Sequence, residues 1–402
     1  MLELCTASRL HFGLIELAAD QPHRFGGMGL MVQWPSVRLR AGIRTELDSA
    51  LVRPASPTDE NSEIRQRIDR AIEHARQALN VPPTSAQIPS LQDWTVQAIE
   101  LPTMHSGLGV GTQLAAAVAA CVQLEAGCDP RHATAHSQLV LRAADPDGRE
   151  FNVARQSESI AATGEDRLWV PYADRFGQVA GHAAVQALAT ISARGKRSAI
   201  GLHGFVFGGL VQDQGLSITD RQDEPTTIGR VGPRTIATRS TAFPDEWPVV
   251  LITSHSGGDV FGAIEENLME VVGNDPNPDR DRMLELSEAC MSAATDKDFF
   301  AFVAGLESYM ALAAALFESV QSGRYRNRII ASLAAQATDC GLRGVGQSSW
   351  GPTVFGFAPS LPAARLAAAR LNASLDLDSL RVTVTQAANH GARWRRLPPW
   401  SF

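Results

Sequence analysis

Three glycines, Gly107, Gly109 and Gly111, precede an apolar, alanine-rich stretch that predicts a helix from Thr112 to about Ala126. Because glycine has no Cβ, the backbone N–H groups of such a turn can approach a bound group closely. The amino terminus of a helix adds unpaired N–H groups and a partial positive charge, which favour phosphate and other anions. The turn therefore predicts an anion-binding site.

The motif around this turn differs from the standard nucleotide-binding loops. No Lys-Ser or Lys-Thr pair follows the glycines, so a Walker P-loop is excluded. The GxGxG spacing does not match the dinucleotide fingerprint, and no clean βαβ unit surrounds it. Three further glycine-rich turns, FGGMG, GLHGFVFGG and GVGQSSWG, lie beside polar or cationic residues. Four such turns together favour a site at which the backbone approaches a polyanion.

Cationic side chains accompany these turns. Arg9 and His11 lie two residues apart in a predicted extended segment, so both side chains can point to the same side. Arg197 follows a predicted helix. Any one of them could be a capping or surface residue, but arginines beside glycine turns together favour a phosphorylated substrate.

Two other chemistries find less support in the sequence. His132 and His136 have the i, i+4 spacing of metal ligands, but the HATAH stretch contains no Glu and no third ligand is evident, so we expect no metal site there. The SSW stretch at 348–350 does not form a GxSxG motif, and no Ser/His/Asp set is identifiable. A hydrolase is therefore not indicated.

The whole-chain composition narrows the class of protein. The 402 residues suffice for two domains, and the net charge of −7 argues against a nucleic-acid-binding protein. Five scattered cysteines without a CxxC motif indicate reduced thiols. Neither a signal peptide nor an apolar run of about 20 residues is evident. We therefore expect a cytoplasmic protein.

The elements that position these residues are predicted to be a mixture of strands and helices. Besides the helix after the glycine turn, helices are predicted at about 62–80, 182–193, 280–294, 298–321, 326–340 and in LPAARLAAARLNA. Strands are predicted in LELCTASRLHFGLIEL (two, joined by a loop), RFGGMGLMVQWPSVRLRAG, WTVQAIELP, GKRSAIGLHGFVFGGLVQDQG (two), WPVVLITS, GLRGVGQSSWGPTVFGFA and, last, SLRVTVTQA. The polar segment at about 141–179 is interpreted as an insertion. Without a steady βα alternation, the pattern predicts the α+β class with two domains, 1–243 and 244–402.

Five motifs in order resemble those of a known family. LPTMHSGLGVGTQLAAAVA resembles the second motif of the GHMP kinase superfamily, P-x-x-x-G-L-G-S-S-A. Together with ASRLHFGLIEL, GGMGL, GKRSAIGLHGFVFGG and GVGQSSWGPTVFGF, it resembles the beta-ribofuranosylaminobenzene 5'-phosphate synthase family of methanopterin biosynthesis. The resemblance runs from residue 2 to about 360 and omits the segment at 141–179.

This resemblance implies a fold and a reaction. The fold would be that of the GHMP kinases, with an N-terminal domain like domain 2 of ribosomal protein S5, a ferredoxin-like C-terminal domain, and the site between them. The reaction would condense phosphoribosyl pyrophosphate with 4-aminobenzoate or 4-hydroxybenzoate, releasing CO2 and pyrophosphate. Mg²⁺ is expected with the pyrophosphate donor, ATP is not, and the metal ligands are not assigned. The expected partners are these small molecules, with neither nucleic acid nor membrane, and a homodimer is left open.

The resemblance also implies site residues. It gives catalytic roles to Arg9, His11, Arg197 and His203. The implied substrate contacts all come from the glycine-rich motifs: Gly26, Gly27, Gly29, Ser106, Gly107, Gly109, Gly111, Thr112, Gln113, Ser198, Gly346, Gln347, Ser348, Ser349, Trp350 and Gly351.

The sequence departs from the kinase pattern at one informative place. Val110 and Gly111 stand where the kinases carry a serine pair, Thr112 lies one residue later, and no position matches the kinase catalytic Asp. Phosphoryl transfer is therefore not expected. Two alternatives stay open at this point: an ATP-dependent small-molecule kinase, and a non-catalytic ligand sensor on the same fold.

Overall fold

The described part of the chain forms two antiparallel sheets and the helices that cover them. The computed structural model describes residues 1–18, 21, 23–43, 59–79, 94–125, 169–176, 181–195, 197–217, 236–255, 263–273, 276–321 and 323–397. Its strands are β1 (Leu2–Gly13), β2 (His23–Arg24), β3 (Gly27–Ile43), β4 (Trp94–Glu100), β5 (Val170–Pro171), β6 (Leu210–Ser217), β7 (Ile236–Thr241), β8 (Val249–Ser254), β9 (Arg343–Gln347), β10 (Val354–Phe357), β11 (Leu380–Thr385) and β12 (Arg393–Arg396). Its α-helices are α1 (Asp59–Ala78), α2 (Val110–Glu125), α3 (Gly181–Ser192), α4 (Ile200–Phe207), α5 (Ala263–Val272), α6 (Arg280–Thr295), α7 (Phe299–Ala315), α8 (Arg328–Asp339) and α9 (Leu361–Ser374).

The first sheet has the order β2-β6-β3-β1-β12-β5, with β4 also paired to β3 and β7 to β6. Helix α2 packs on this sheet and is covered by α1, α3 and α4. Its residues from 113 to 124 are all buried, as its uniformly apolar sequence predicts. This burial fixes the glycine turn at the amino terminus of α2 relative to β1.

The second sheet has the order β11-β8-β10-β9. The connections run strand, helices, two strands, helix, strand, which is the ferredoxin-like arrangement implied by the resemblance. Alternate residues of β8 face opposite sides: Val249 and Leu251 belong to the core that contains α6 and α7, whereas Val250 and Ile252 pack with α8 and α9. The α+β class predicted from the sequence is confirmed.

Three element predictions were wrong. Residues 2–13 form one continuous strand instead of two strands joined by a loop. Residues 200–207, predicted as a strand, form helix α4, because a short apolar run has no period that separates a buried strand from a buried helix. Helix α7 ends at Ala315 rather than at 321.

Strand β12 also differs from the sequence-based picture. It follows β11, which was predicted to be the last strand, and it pairs antiparallel with β1 and β5. The predicted second domain, 244–402, therefore contributes its final strand to the first sheet. Of the proposed insertion at 141–179, residues 170–176 form β5 and a short 3-10 helix, and 169 is described but belongs to neither element. The others lie outside the described residues.

Candidate active site

A cavity of about 750 Å³, called the main cavity below, lies where the two sheets meet. Its wall is formed by the end of β1, the turn before α2, the α3–α4 connection, the end of α7 with the chain that follows it, and the turn between β9 and β10. It brings together fourteen of the predicted site residues: Arg9, His11, Ser106, Gly107, Gly109, Gly111, Thr112, Arg197, Ser198, Gly346, Gln347, Ser349, Trp350 and Gly351.

Two of the glycine turns lie in direct contact at this cavity. A Cβ on Gly107 would collide with the Ser348 carbonyl oxygen, and one on Gly351 would collide with the Gly107 backbone. The Ser348 hydroxyl donates to the Gly107 carbonyl at 2.7 Å and accepts from the His11 N–H at 3.1 Å. Three sequence motifs thus converge on one buried hydroxyl, which couples the first sheet to the second.

Arg9 is positioned by the glycine turn. Its backbone N–H donates to the Leu108 carbonyl at 2.9 Å. A Cβ on Gly109, where φ is +71°, would lie 3.1 Å from Arg9 Nε. Gly109 therefore has two local roles: it adopts the left-handed backbone of the turn and leaves space for the arginine side chain.

His11 is buried, and its Nδ1 accepts a hydrogen bond from the Gly13 N–H at 3.1 Å. Burial, and then the nearby Arg9 charge, lower the pKa of His11 well below its ordinary value. The ring is therefore neutral at pH 7, and because Nδ1 is the acceptor, Nε2 carries the proton. His11 can offer a neutral N–H donor to a bound group.

The main cavity is strongly cationic. Its described lining contains five arginines and neither Asp nor Glu: Arg9, Arg67, Arg194, Arg197 and Arg324. The pKa of Arg194 is lowered by burial and then by the charges of Arg67 and Arg197, so these three guanidinium groups lie near one another. A concentration of positive charges without a carboxylate in the described lining favours an anionic ligand.

One part of the wall is apolar and aromatic. Trp350 is 8% exposed and meets Phe317 edge to face, with 4.8 Å between the ring centroids. Phe317, Trp350 and Met269 belong to one apolar cluster, and Met310 also lines the cavity. An aromatic ring would find an apolar surface here next to arginine side chains.

Sequence reasoning missed four basic lining residues: Arg67, His105, Arg194 and Arg324. Arg67 lies on the polar face of an ordinary amphipathic helix and carries no local signal. Arg194 directly precedes the GKRS stretch, so that basic run was the available signal. His105 directly precedes the SGLGVG motif and has a φ of +58°, which is unusual for a residue with a side chain.

Other predicted site residues do not reach the main cavity. His203, on α4, has its Nε2 3.1 Å from the Ser240 hydroxyl and its ring on Phe207. Gln113 is buried and links the first sheet to α4: it accepts from the Thr6 hydroxyl and donates to the Gly201 carbonyl. The structure does not support the predicted catalytic role of His203 or the predicted substrate contact of Gln113, because both side chains make hydrogen bonds inside the fold.

Ser348 and the FGGMG glycines, which were also predicted to contact the substrate, likewise have roles inside the fold. Ser348 is fully buried and uses its hydroxyl for the two hydrogen bonds to backbone atoms described above. Side chains at Gly26, Gly27 and Gly29 would collide with the backbone of β6 or β1. These three glycines allow the strands to pack closely. In the sequence, a glycine needed for close strand packing cannot be distinguished from a glycine in a substrate-binding turn.

Neither a metal centre nor a membrane span is found in the part of the chain that the structure describes. No group of three His, Cys, Asp or Glu residues there could hold a metal ion. His132 and His136 lie outside the described residues. Among the described helices, none is both long enough and apolar enough to cross a bilayer.

Comparisons with known proteins agree with this geometry. No family model matches the chain. The chain is 25% identical over 360 residues to the beta-ribofuranosylphenol 5'-phosphate synthase of Methanothermobacter thermautotrophicus, covering 89% of this chain and 88% of that protein. Similar solved structures include the Methanococcus jannaschii mevalonate kinase, at 10% identity and a TM-score of 0.52 over 97% of this chain and 98% of that one. The Streptococcus pyogenes mevalonate pyrophosphate decarboxylase gives 11% identity and a TM-score of 0.52 over 97% of both chains. The resemblance predicted from the motifs is thus confirmed. The chain has the fold of the GHMP kinase superfamily, and its sequence is similar to a beta-ribofuranosylphenol 5'-phosphate synthase along most of its length.

Proposed function

We propose that this protein condenses phosphoribosyl pyrophosphate with 4-hydroxybenzoate or 4-aminobenzoate, releasing CO2 and pyrophosphate and forming a carbon-linked riboside 5'-phosphate. The observation that carries the proposal is the similarity to a synthase over 89% of the chain. The name of that relative describes a ribofuranosylphenol phosphate product, so 4-hydroxybenzoate is the first acceptor to test.

The cationic lining suits the donor. Breaking the bond between the anomeric carbon and the pyrophosphate oxygen leaves positive charge on the ribose and a polyanion as leaving group. Arginines stabilise that developing negative charge most strongly where water is excluded, and the amino terminus of α2 at Gly111 adds N–H donors. The neutral Nε2–H of His11 offers a further hydrogen bond that needs no change of protonation.

The apolar wall suits the acceptor. The ring carbon that bears the carboxylate attacks the anomeric carbon, and the bond to the carboxylate then breaks, releasing CO2 and restoring aromaticity. The electrons of that bond return to the ring, so the overall step consumes no proton. Phe317 and Trp350 can orient the ring, while an arginine such as Arg9, Arg197 or Arg324 holds the carboxylate.

Magnesium fits this lining only as part of the substrate. The described residues of the main cavity offer no carboxylate ligand. Mg²⁺ prefers oxygen ligands and is often held by substrate phosphates. We therefore expect the ion to enter on the pyrophosphate of the donor.

A single assay tests the proposed reaction. The purified protein is incubated with phosphoribosyl pyrophosphate, Mg²⁺ and carboxyl-labelled 4-hydroxybenzoate or 4-aminobenzoate, and released CO2 is counted. The expected result is release that requires both substrates and matches pyrophosphate formation one to one. Absence of release with both acids would overturn the proposal, and binding of the donor without turnover would favour the ligand sensor.

A further inference from the structure

A second, smaller cavity opens beside the glycine turn, between α1, the start of α2 and the end of α3. This side cavity has a volume of about 310 Å³, and its polar lining includes Arg67, Arg70, His74, Gly111 and Arg194. Arg67, Gly111 and Arg194 also line the main cavity, so the two spaces adjoin along these residues. A group bound in the main cavity could extend past Gly111 into the side cavity.

The charges around the side cavity are unbalanced. Glu63 binds Arg67 through two hydrogen bonds of 2.7 and 2.9 Å and also interacts with Arg70. Arg194 pairs with no carboxylate among the described residues, and the pKa of its guanidinium is lowered by burial and by its neighbours Arg67 and Arg197. Arg67 and Arg70 therefore share one carboxylate and Arg194 has none among the described residues, an arrangement that an anion would stabilise.

Backbone and helix contacts hold Arg194 in this position. The His74 ring lies with Nε2 3.1 Å from the Thr190 carbonyl oxygen, which ties α1 to the end of α3. The Arg194 N–H donates to the Ala189 carbonyl at 3.2 Å. Ala193 has a φ of +54°, a left-handed conformation that is unfavourable for a residue with a Cβ. Strain of this kind at a cavity wall is typical of functional sites.

Gly111 completes the wall. A Cβ on this residue would meet no atom within 4 Å, so the backbone at the amino terminus of α2 faces open space. It lies in both cavities, next to the arginines. A phosphoryl group here could contact guanidinium groups and helix N–H donors at once.

We infer that the side cavity is a second anion subsite, which binds a phosphoryl group while the rest of the ligand lies in the main cavity. The inference rests on the proposed function for the identity of that ligand, since the proposed donor carries phosphoryl groups at both ends of a ribose. Two sources share this chemistry, the pyrophosphate and the 5'-phosphate, and experiment separates them.

Arg70 and Arg194 provide the test. Arg70 lines the side cavity and not the main cavity, and Arg65 lies on the same helix, lines neither cavity and pairs with Asp69 at 3.3 Å. Binding of inorganic pyrophosphate and of ribose 5-phosphate is measured by calorimetry for the wild type, Arg70→Met, Arg194→Met and the control Arg65→Met. We expect Arg194→Met to weaken binding of one of these anions about tenfold and the exposed Arg70→Met about threefold, with Arg65→Met unchanged.

The anion that is lost identifies the source. Weaker pyrophosphate binding assigns the side cavity to the leaving group, and weaker ribose 5-phosphate binding assigns it to the 5'-phosphate. Wild-type affinity for both anions in Arg70→Met and Arg194→Met, or equal losses in the Arg65→Met control, would overturn the inference. Arginine-dependent binding by a protein that releases no CO2 would leave the subsite standing and remove the proposed reaction.

Discussion

At the scale of single residues, the glycine turn separates into positions with different roles. From the sequence alone, Gly109 is the natural residue to mutate as a test of anion binding. In the structure its φ is +71° and an added Cβ would press on Arg9, so a substitution there changes the fold and the site together. Gly111 has no positive φ and an open cavity in front of it.

Gly111→Ala is therefore the cleaner test. The added methyl group narrows the approach to the α2 amino terminus, and we expect the KM for the donor to rise several-fold. Alanine favours a helix over glycine by about 0.5–1 kcal/mol, so the melting temperature should stay the same or rise. Steady-state kinetics and thermal unfolding check both effects. An unchanged KM would show that the ligand does not approach this backbone.

Arg9 tests whether the first motif binds substrate. Arg9→Lys keeps the charge but loses the two-pronged geometry of the guanidinium, and should already lower activity. Arg9→Ala should lower kcat/KM roughly ten- to a hundredfold, at about 1.4 kcal/mol per tenfold. Neither change should lower the melting temperature by more than a few degrees. Near-normal turnover with a large loss of thermal stability would instead make Arg9 a structural residue.

His11 predicts a pH dependence of stability. The pKa of His11 in the folded protein lies below that of the unfolded chain, so below about pH 6.5 the unfolded state takes up a proton that the folded state does not. Stability should fall with decreasing pH by up to about 1.4 kcal/mol per pH unit for this group. His390, whose pKa burial also lowers, contributes in the same direction.

His11→Asn isolates this contribution, because the asparagine oxygen can still accept from the Gly13 N–H. Chemical denaturation between pH 5 and 8 should give a shallower loss of stability in the variant, with the part from His390 retained. In the wild type, kcat/KM should show no inflection near pH 6.5 that depends on His11. Such an inflection, if His11→Asn removed it, would mean that the ring titrates normally and is accessible to protons.

At the scale of the elements, the site depends on how turns from both sheets are joined. Ser348→Ala removes one buried hydroxyl that bonds Gly107 and His11, leaving two backbone groups without that partner. We expect a loss of about 1–3 kcal/mol in the free energy of unfolding, together with lower kcat/KM. Ser308→Ala, on the exposed face of α7, is the matched control and should change neither quantity. Retention of full activity by Ser348→Ala would show that the two turns are held together by other contacts.

The elements also show which local patterns the sequence can reveal. Helices with a clear period, such as α1 and α8, and the uniformly apolar α2 were predicted close to their observed bounds. Helix α4 was not, because its two glycines are poor helix formers and are accommodated only by tertiary packing. A Cβ on Gly204 would collide with Met31, and one on Gly201 would lie 3.1 Å from the Thr112 side chain. Contacts this distant along the chain leave no local signal.

The site follows the same rule. Residues within the motifs, such as Arg9 and Ser349, could be predicted because the motifs themselves converge on the main cavity. Arg67 and Arg324 could not, because only the packing of α1 and of the chain after α7 brings them there. Gly27 and Ser348 were assigned to substrate because a close backbone approach looks alike in sequence whether the neighbour is a ligand or another strand.

At the scale of the whole molecule, the protein combines the fold of the GHMP kinases with a nucleotide-binding motif that differs from theirs. Val110 and Gly111 stand at the positions of the kinase serine pair, and the described lining of the main cavity has no carboxylate. We expect the protein neither to consume nor to require ATP. A coupled ADP assay with 4-hydroxybenzoate, 4-aminobenzoate and ribose 5-phosphate as acceptors checks this. Stoichiometric ADP formation with any of them would place the kinase function ahead of the proposed one.

Strand β12 has a consequence for the order in which the chain can fold. β1 pairs with β3 on one side, and its residues 2–5 pair on the other side with residues 393–396, which are synthesised almost 400 residues later. At about 5–20 residues per second, a ribosome leaves that edge open for tens of seconds, and an open edge is a template for pairing with other chains. Glu3 lies in the middle of this edge and already has Arg38 and Arg40 of β3 as partners before Arg395 arrives. Until β12 is made, Glu3 and these two arginines therefore place charged side chains along the uncovered edge, a feature that disfavours pairing with other chains.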